Sequence, residues 1–231
     1  MRLVTFAGPP SSGKTAVICK TAASLHAAQV SLGVIKFDCL SSSDQAVYER
    51  HGIISRTGFS GNLCPDHYFV SNIEECLAWG HQEGFDLLMS ESAGLCNRCA
   101  PHVKDVCAVC VVDNLSGVDT PRKIGPMLKM ADIVVITKGD IVSQAEREVF
   151  AHRVRQVNAG ATIIHVNGLT GQGAQELGRL LQNAPPVDEL RGKLLRFSMP
   201  AALCSYCLGQ RRIGADFQMG NVRKIDLNAK Q

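Results

Sequence analysis

The stretch Gly8-Pro9-Pro10-Ser11-Ser12-Gly13-Lys14-Thr15 decides the fold of this 231-residue chain. It follows a short apolar run, Leu3 to Ala7, and precedes a stretch that is compatible with a helix from Gly13 onward. A strand, a loop of the pattern G-x-x-x-x-G-K-T and a helix are the parts of a phosphate-binding loop. Backbone N–H groups of such a loop and the positive end of its helix surround a β-phosphate. We therefore expect a nucleoside triphosphate site here, rather than a turn that matches by chance.

The residues expected to contact the nucleotide through this loop are Gly8, Ser11, Ser12, Gly13, Lys14 and Thr15. Lys14 would reach the β- and γ-phosphates, and the hydroxyl of Thr15 would coordinate Mg²⁺. Lys14 is thus also the first candidate catalytic residue, because charge on the transferring phosphoryl group must be neutralised.

Composition sets the broad class. Hydrophobic residues make up 45% and charged residues 19% of the chain, as in ordinary globular proteins. A net charge of +3 is too small to indicate nucleic acid or a membrane as the main partner. The first residues predict a strand rather than a signal peptide, and no apolar stretch has the length of a transmembrane helix. We expect a cytoplasmic protein.

Apolar runs alternate with helical stretches, which predicts an α/β fold of the P-loop NTPase type, with a mostly parallel sheet flanked by helices. The expected strands are Leu3–Ala7, Gly33–Phe37, Phe85–Ser90, Cys107–Val112, Ile133–Thr137 and Thr162–Val166. The expected helices are Gly13–Ala28, Ile73–Gln82, Pro121–Met130, Gln144–Val157 and Gly173–Gln182.

Pro185-Pro186 ends this alternation. We therefore predict a P-loop GTPase domain over residues 1–184 and a short cysteine-containing C-terminal extension over residues 185–231. The segment from Leu40 to His67 has little periodicity and is rich in Ser, Gly and His, so it is where mobile switch loops would lie.

Two carboxylates lie at the carboxyl ends of predicted strands. Asp38 ends the second and Glu91 ends the third, at the edge of the sheet where ligands of open α/β folds collect. Each could bind Mg²⁺ directly or through water, or orient the attacking water. Either carboxylate taken alone could instead be a helix cap or a surface charge.

Base identity is suggested by Thr137-Lys138-Gly139-Asp140, which is similar to the Asn-Lys-x-Asp guanine motif. The carboxylate of Asp140 can accept from two N–H groups of guanine, and adenine offers no such pair. The stem of Lys138 would cover the base, and Asn167-Gly168 lies where GTPases place a loop that touches guanine O6. GTP is favoured over ATP, although Thr137 replaces the usual Asn.

The chain resembles the metallochaperone GTPases of the CobW/HypB/UreG type, which act in urease and hydrogenase maturation within the SIMIBI class. The resemblance rests on the phosphate loop, on Glu91-Ser92-Ala93-Gly94, on Val112-Asp113 and on Pro121-Arg122-Lys123-Ile124-Gly125-Pro126. It implies a GTP-dependent homodimer that delivers a transition metal, commonly nickel, to an apo-metalloenzyme client together with other maturation factors.

The metal ligands of that family match less closely. Urease-accessory GTPases bind nickel through Cys-Pro-His, and here Cys64-Pro65-Asp66-His67 contains one extra residue. Cys99-Ala100-Pro101-His102 is a second possible version of the motif. The resemblance supports the GTPase core more strongly than it identifies the client.

The chain has ten cysteines, and two pairs have Cys-x-x-Cys spacing: Cys96/Cys99 and Cys204/Cys207. In a reducing compartment this spacing favours a metal such as nickel or zinc, or an iron–sulfur cluster, over a disulfide. A redox dithiol remains an alternative. Cys107 and Cys110, on a predicted central strand, are expected in the core on opposite faces, and Cys19 and Cys76 are also expected in the core.

Three functions compete at this stage. The first is a GTPase for metallocentre assembly, in which hydrolysis releases metal or client. The second is a nucleotide-gated electron donor or activator with a shared iron–sulfur cluster, although the phosphate loop lacks the extra lysine of that group. The third, a small-molecule kinase, is disfavoured by the guanine-type motif.

Overall fold

The computed structural model describes residues 1–95, 99–197, 210–218 and 222–227. The strands in these ranges are β1 Arg2–Ala7, β2 Leu32–Asp38, β3 Ile54–Phe59, β4 Leu87–Ser92, β5 Cys107–Asp113, β6 Ile133–Thr137 and β7 Thr162–His165. Within these described ranges they form one seven-stranded parallel sheet in the order β3-β2-β4-β1-β5-β6-β7. The predicted α/β fold class is confirmed.

Helices cover both faces of the sheet. They are α1 Lys14–Ala27, α2 Asp44–Arg50, α3 Pro65–Gln82, α4 Thr120–Lys123, α5 Pro126–Lys129, α6 Gln144–Val157 and α7 Ala174–Gln182, with a 3₁₀ turn at Asn114–Ser116. Side chains of α1, α2 and α7 pack on one face, and those of α3 and of α5 with α6 pack on the other. No helix in the described part of the chain combines the length and the apolar character needed to cross a membrane.

Strand β5 contributes side chains to the hydrophobic clusters on both faces of the sheet. Cys107 and Val109 join the cluster beneath α1, whereas Cys110 and Val112 join the cluster beneath α6. Alternate side chains of a strand point to opposite faces, so a strand buried on both sides is apolar throughout. The expectation that Cys107 and Cys110 are core residues on opposite faces is confirmed, and Cys19 and Cys76 are buried as well.

The segment from Leu40 to His67 is more ordered in secondary structure than its composition suggested. It contains α2, all of β3 and the first turn of α3. Helix α2 has one buried anchor, Tyr48, and β3 is an edge strand that includes the polar residues Ser55 and Thr57. Elements this short and polar give little periodicity, so the sequence did not predict them. That mobile switch loops lie in this segment stays a prediction.

Two helix boundaries also differ from expectation. Helix α3 begins at Pro65 rather than Ile73, with Pro at a first-turn position where its missing N–H is tolerated. The predicted helix Pro121–Met130 is two short helices, because Gly125 between them has φ 65°. That left-handed backbone ends one helix and redirects the chain into the next.

The described residues after 184 pack on the α3 face of the sheet. Val187, Leu190, Leu195 and Ile213 belong to the same buried cluster as Phe69 and Ile73 of α3. Val187 N–H also donates to the Met1 carbonyl at 2.8 Å. The division at residue 184 stays a prediction, and Cys204 and Cys207 lie outside the described residues.

Candidate nucleotide-binding site

The phosphate loop leaves β1 where the order of the sheet reverses. Strand β1 lies between β4 and β5, and ligands of open α/β sheets bind at the carboxyl ends of strands at such a switch point. Gly8 has φ 149°, and a Cβ there would lie 2.1 Å from the Val111 carbonyl oxygen. Gly13 has φ 93° and is the N-cap of α1, so no side chain caps the first turn there. The loop thus presents its backbone donors at the start of a helix, the arrangement that attracts phosphate.

Lys14 lies folded back on this loop. Its ammonium donates to the carbonyl oxygens of Gly8 and Pro9, both at 2.9 Å, and the residue is only 5% exposed. Burial lowers the pKa of Lys14 to about 8, although the nearby charge of Glu91 opposes that shift. Within the described ranges, the hydrogen bonds of this buried ammonium go to carbonyl groups, so a phosphate anion would stabilise its charge.

Glu91 is the centre of a buried hydrogen-bond cluster at this edge, and it is 1% exposed. Its Oε1 accepts from Thr15 Oγ1 at 3.0 Å and from Lys36 Nζ at 2.7 Å, and its Oε2 accepts from the Tyr48 hydroxyl. Lys36 Nζ is also 2.8 Å from Asp44 Oδ2. Three elements of the fold, α1, β2 and α2, therefore meet at the carboxylate of Glu91.

The pKa values of this cluster follow from burial and charge. Burial by itself would lower the pKa of Lys36, but attraction by Glu91 and hydrogen bonds to Asp44 and Glu91 outweigh it and raise the pKa. Burial, followed by the charge of Glu91, raises the pKa of Tyr48 well above its usual value. Lys36 therefore stays an ammonium and Tyr48 stays a hydroxyl donor at neutral pH.

These residues fit a magnesium ion. The Thr15 hydroxyl and the Glu91 carboxylate are adjacent oxygen donors of the kind that Mg²⁺ prefers, and Mg²⁺ usually takes few protein ligands beside phosphate and water. The ammonium of Lys36 stands in as the local cation between Glu91 and Asp44.

Asp38, the other expected magnesium residue, is placed differently. It is the last residue of β2, and in the described part of the chain its side chain accepts from the Cys39 N–H at 2.8 Å. The carboxylate linked to Glu91 through Lys36 is that of Asp44, at the start of α2. Sequence reasoning missed Lys36, Asp44 and Tyr48; a lysine within the apolar run of β2 was the available signal.

The segment after β4 lies directly on the phosphate loop. Gly94 has φ 75°, and a Cβ there would lie 1.8 Å from the Gly8 carbonyl oxygen and 3.2 Å from Lys14 Nζ. Only glycine fits this approach. The Glu91-to-Gly94 segment thus contacts both the magnesium edge and the phosphate edge of the site.

The expected base-recognition residues lie beside the same loop. Thr137 Oγ1 donates to the Ser12 carbonyl at 2.6 Å, and Lys138 Nζ donates to the Ser11 carbonyl at 2.8 Å. Lys138 Nζ is also 3.4 Å from the carboxylate of Asp113, at the end of β5. These contacts join the end of β6 to the phosphate loop.

Asp140 and Asn167 line one open cavity of about 420 Å³ between the ends of β6 and β7. The Asn167 side chain accepts from the N–H groups of Leu169 and Thr170, at 2.8 and 3.0 Å, which fixes the turn of its own loop. A Cβ on Gly168 would lie 3.0 Å from the Cβ of Ala16, so this loop rests on α1. The exposed carboxylate of Asp140 is accessible to a ligand in this cavity.

The expected transition-metal residues are only partly described. Cys64 is the N-cap of α3, His67 is fully buried in the first turn of α3, and Cys99 is buried, whereas Cys96 lies outside the described ranges. Among the described residues, no group of three His, Cys, Asp or Glu side chains is placed to bind a metal ion. The roles of these residues stay predictions.

His102, from the second Cys-to-His stretch, has a structural setting. Its Nδ1 is 2.9 Å from Thr5 Oγ1 and its Nε2 is 3.2 Å from the Met127 carbonyl oxygen. Burial lowers its pKa to about 4, so the ring stays neutral and bridges β1 to α5. Both ring nitrogens are engaged, which leaves neither for a metal.

The fold and the phosphate loop define a P-loop nucleoside triphosphatase. The family described as "CobW/HypB/UreG, nucleotide-binding domain" matches residues 2–165, and the chain belongs to this family. Members of the family are GTPases, and they include GTP-dependent metal-insertion chaperones. The resemblance suggested by the sequence motifs is confirmed. The family does not favour the alternative of an iron–sulfur electron donor.

Two relatives and two solved structures extend this result. An uncharacterized protein of Methanocaldococcus jannaschii is 43% identical over 226 residues, which cover 98% of this chain and 97% of the relative. Urease accessory protein UreG 2 of Bradyrhizobium sp. is 27% identical over 78% of this chain and 89% of the relative. The hydrogenase maturation factor HypB of Archaeoglobus fulgidus matches with TM-score 0.60 at 24% identity, over 79% of this chain and 89% of its own. HypB of Helicobacter pylori in complex with nickel matches with TM-score 0.60 at 17% identity, over 82% of this chain and 91% of its own. At these identities the structural matches establish the fold.

Proposed function

We propose that this chain is a cytoplasmic GTPase for metallocentre assembly, which uses GTP hydrolysis to control the release of a metal or of a client from a homodimer. The observation that carries the proposal is the contact of Thr15 and Lys36 with Glu91 beside the phosphate loop. This arrangement would couple the phosphate site to the segment that leads in sequence to Cys96 and Cys99. Membership of a family of GTP-dependent metal-insertion chaperones supports the same function.

GTP is the proposed nucleotide. The exposed carboxylate of Asp140 lines the cavity between the ends of β6 and β7 and would accept from the two N–H donors of guanine. The stem of Lys138, whose ammonium donates to the Ser11 carbonyl, would cover the base. The Thr137 hydroxyl holds this loop on the phosphate loop, so base and phosphates would bind to one rigid unit. Asn167 lines the same cavity as Asp140, and with Gly168 it would form the other wall of the proposed base site.

In the proposed mechanism, GTP binding draws Lys14 from the Gly8 and Pro9 carbonyls to the β- and γ-phosphates. Thr15 and Glu91 would bind Mg²⁺, which would neutralise charge on the transferring phosphoryl group. Asp38 lies two residues beyond Lys36 on the same face of β2, and its carboxylate would orient the attacking water. Glu91 would then pass the change in phosphate contacts to the segment that begins at Gly94.

The transferred metal is the cargo of the proposed reaction, and nickel or zinc is the proposed cargo. Cys96 and Cys99 follow Glu91 by five and eight residues, so the segment that contacts the phosphate loop leads directly to them. Two thiolates cannot complete a tetrahedral site, but the same pair from a second copy would. Cys204 with Cys207 and Cys64 with His67 are the other proposed ligands. The client would be an apo-metalloenzyme, and other maturation factors would bind together with it.

Hydrolysis is tested by turnover of GTP in unmodified protein and in Lys14→Ala. We expect Lys14→Ala to abolish turnover, and Asp38→Ala and Glu91→Ala to reduce kcat more than they weaken GTP binding. Lys129→Ala, which removes an exposed lysine of α5, is the matched control. Full activity in Lys14→Ala would remove the phosphate loop from the reaction.

Metal release is tested by Ni²⁺ content and solution mass, with GTP or a non-hydrolysable GTP analogue, on anaerobically purified protein. We expect a dimer with about one metal ion per two chains, lost when GTP is hydrolysed and absent in Cys96→Ser/Cys99→Ser. The control is Cys76→Ala, since burial raises the pKa of Cys76 and keeps it a thiol that binds metal poorly. Equal metal content and mass in all three proteins would exclude Cys96 and Cys99 from the metal site.

A further inference from the structure

Lys36 is a buried lysine at the reactive edge of the sheet. It is 4% exposed, and its neighbours in β2 include the fully buried apolar residues Ile35 and Phe37. Burying an ammonium is unfavourable unless it is closely paired, and replacing a buried ion pair with apolar side chains of similar volume is often neutral or stabilising. Stability of the core therefore does not account for a lysine at this position.

The contacts of Lys36 point to the magnesium edge. Its Nζ lies 2.7 Å from Oε1 of Glu91, and the same oxygen accepts from Thr15 Oγ1 at 3.0 Å. Lys36 and Glu91 are register partners on the adjacent strands β2 and β4, so the sheet itself fixes this approach. The ammonium and the hydroxyl that would bind Mg²⁺ thus share one carboxylate oxygen.

A second contact ties Lys36 to α2. Its Nζ lies 2.8 Å from Oδ2 of Asp44, the first residue of that helix, and Tyr48 on the same helix donates to the other oxygen of Glu91. One ammonium therefore bridges a carboxylate of the proposed magnesium edge and a carboxylate of a surface helix. Any movement of this ammonium changes how α2 is held.

We propose that Lys36 is a positioning residue that holds the Glu91 carboxylate until magnesium binds, and that its ammonium is then displaced from Glu91. The inference rests on the proposed function in taking Thr15 and Glu91 as the magnesium edge. Two cations compete for one carboxylate oxygen in a poorly hydrated site, where their repulsion is strong. Displacement of Lys36 breaks the bridge that ties Asp44 to Glu91, so α2 responds to the arrival of the metal. An ion pair with a purely structural role would not respond to the metal.

The test measures Mn²⁺ binding to the protein at saturating GDP, with electron paramagnetic resonance as the readout. Lys36→Met removes the ammonium that competes for Glu91. It should strengthen Mn²⁺ binding about tenfold, because a positive charge this close repels the metal ion. Lys36→Arg keeps the charge and should bind Mn²⁺ within about twofold of the unmodified protein. Lys129→Met is the control for loss of a lysine elsewhere. Equal or weaker Mn²⁺ binding in Lys36→Met would overturn the proposal.

A measurement on the unmodified protein keeps the proposal testable if Lys36→Met does not fold. Adding MgCl₂ to the GDP-bound protein should speed amide hydrogen exchange in residues 44–50, because the Lys36 bridge from Asp44 to Glu91 is broken. Unchanged or slower exchange there would contradict the inference. The inference and the proposed function can fail separately. If Lys36→Met binds Mn²⁺ more tightly but the unmodified protein hydrolyses no GTP, the inference alone is supported. Hydrolysis with unchanged Mn²⁺ binding supports the function and rejects the inference.

Discussion

Thr137 Oγ1 donates a 2.6 Å hydrogen bond to the backbone carbonyl of Ser12, which joins the end of β6 to the phosphate loop. The residue stands where a guanine motif of the Asn-Lys-x-Asp type has Asn. Its methyl and hydroxyl lie 3.6 Å from the position that a Cβ on Gly13 would take, so the two loops are in close contact. A short hydroxyl side chain is therefore sufficient to link them.

Thr137→Val keeps the shape of this side chain and removes its donor. The buried carbonyl of Ser12 then loses its partner, at a cost of about 1–3 kcal/mol. We expect GTP affinity to fall by about tenfold, measured by calorimetric titration, because the phosphate loop is no longer held in its binding geometry. Thr137→Ser keeps the hydroxyl and should bind GTP nearly normally. Unchanged affinity in Thr137→Val would show that the link has no part in binding.

Base selection is expected to depend on Asp140. Its exposed carboxylate lines the cavity that also contains Asn167. We expect GTP to bind at least about tenfold more tightly than ATP, and Asp140→Ala to remove that preference. Competition binding of the two nucleotides measures the ratio, with Asp119→Ala as a control for loss of an exposed carboxylate. Equal affinities for GTP and ATP in the unmodified protein would contradict the assignment of guanine.

Lys14 predicts a pH dependence of nucleotide binding. Burial lowers the pKa of Lys14 to about 8 in the nucleotide-free site, and a bound polyphosphate would raise it again. The charged form is thus favoured in the complex, so GTP affinity should be full below pH 8 and decrease as the pH rises above it. Titrations from pH 6.5 to 9.5 measure this effect, and in Lys14→Met the decrease above pH 8 should be absent. A GTP affinity that stays constant across pH 8 in the unmodified protein would argue against this role of Lys14.

The parts of the fold that sequence reasoning recovered are those with strong local patterns. Strands β5 and β6 are buried on both faces, so their apolar runs are nearly continuous. Strand β3 lies at the edge of the sheet and carries buried Ser55 and Thr57, and α2 has Tyr48 as its single buried residue. Neither element has a period that a sequence window can detect.

The same distinction applies to the site. The phosphate loop and the Thr137-to-Asp140 stretch are each one continuous run of residues, so each could be found directly in the sequence. Lys36 and Glu91 are 55 residues apart, and Tyr48 and Glu91 are 43 apart. They meet because β2 lies beside β4 and α2 packs over that edge, which depends on the order of strands in the sheet. A lysine inside an apolar strand signals a buried partner, but it does not identify that partner.

Tyr48→Phe tests the other donor to Glu91. The phenyl ring keeps the packing of α2 on the core, and the lost hydroxyl leaves a carboxylate that is 1% exposed with one donor fewer. Hydrogen bonds to charged groups contribute about 1.5–3 kcal/mol, so urea unfolding should show a loss of about that size. Because Glu91 is then less firmly positioned beside Thr15, kcat for GTP should fall while KM changes little. Val47→Ala, which trims a partly buried neighbour on the same helix, is the control for packing loss. A stability loss in Tyr48→Phe with unchanged kcat would confine Tyr48 to holding the fold.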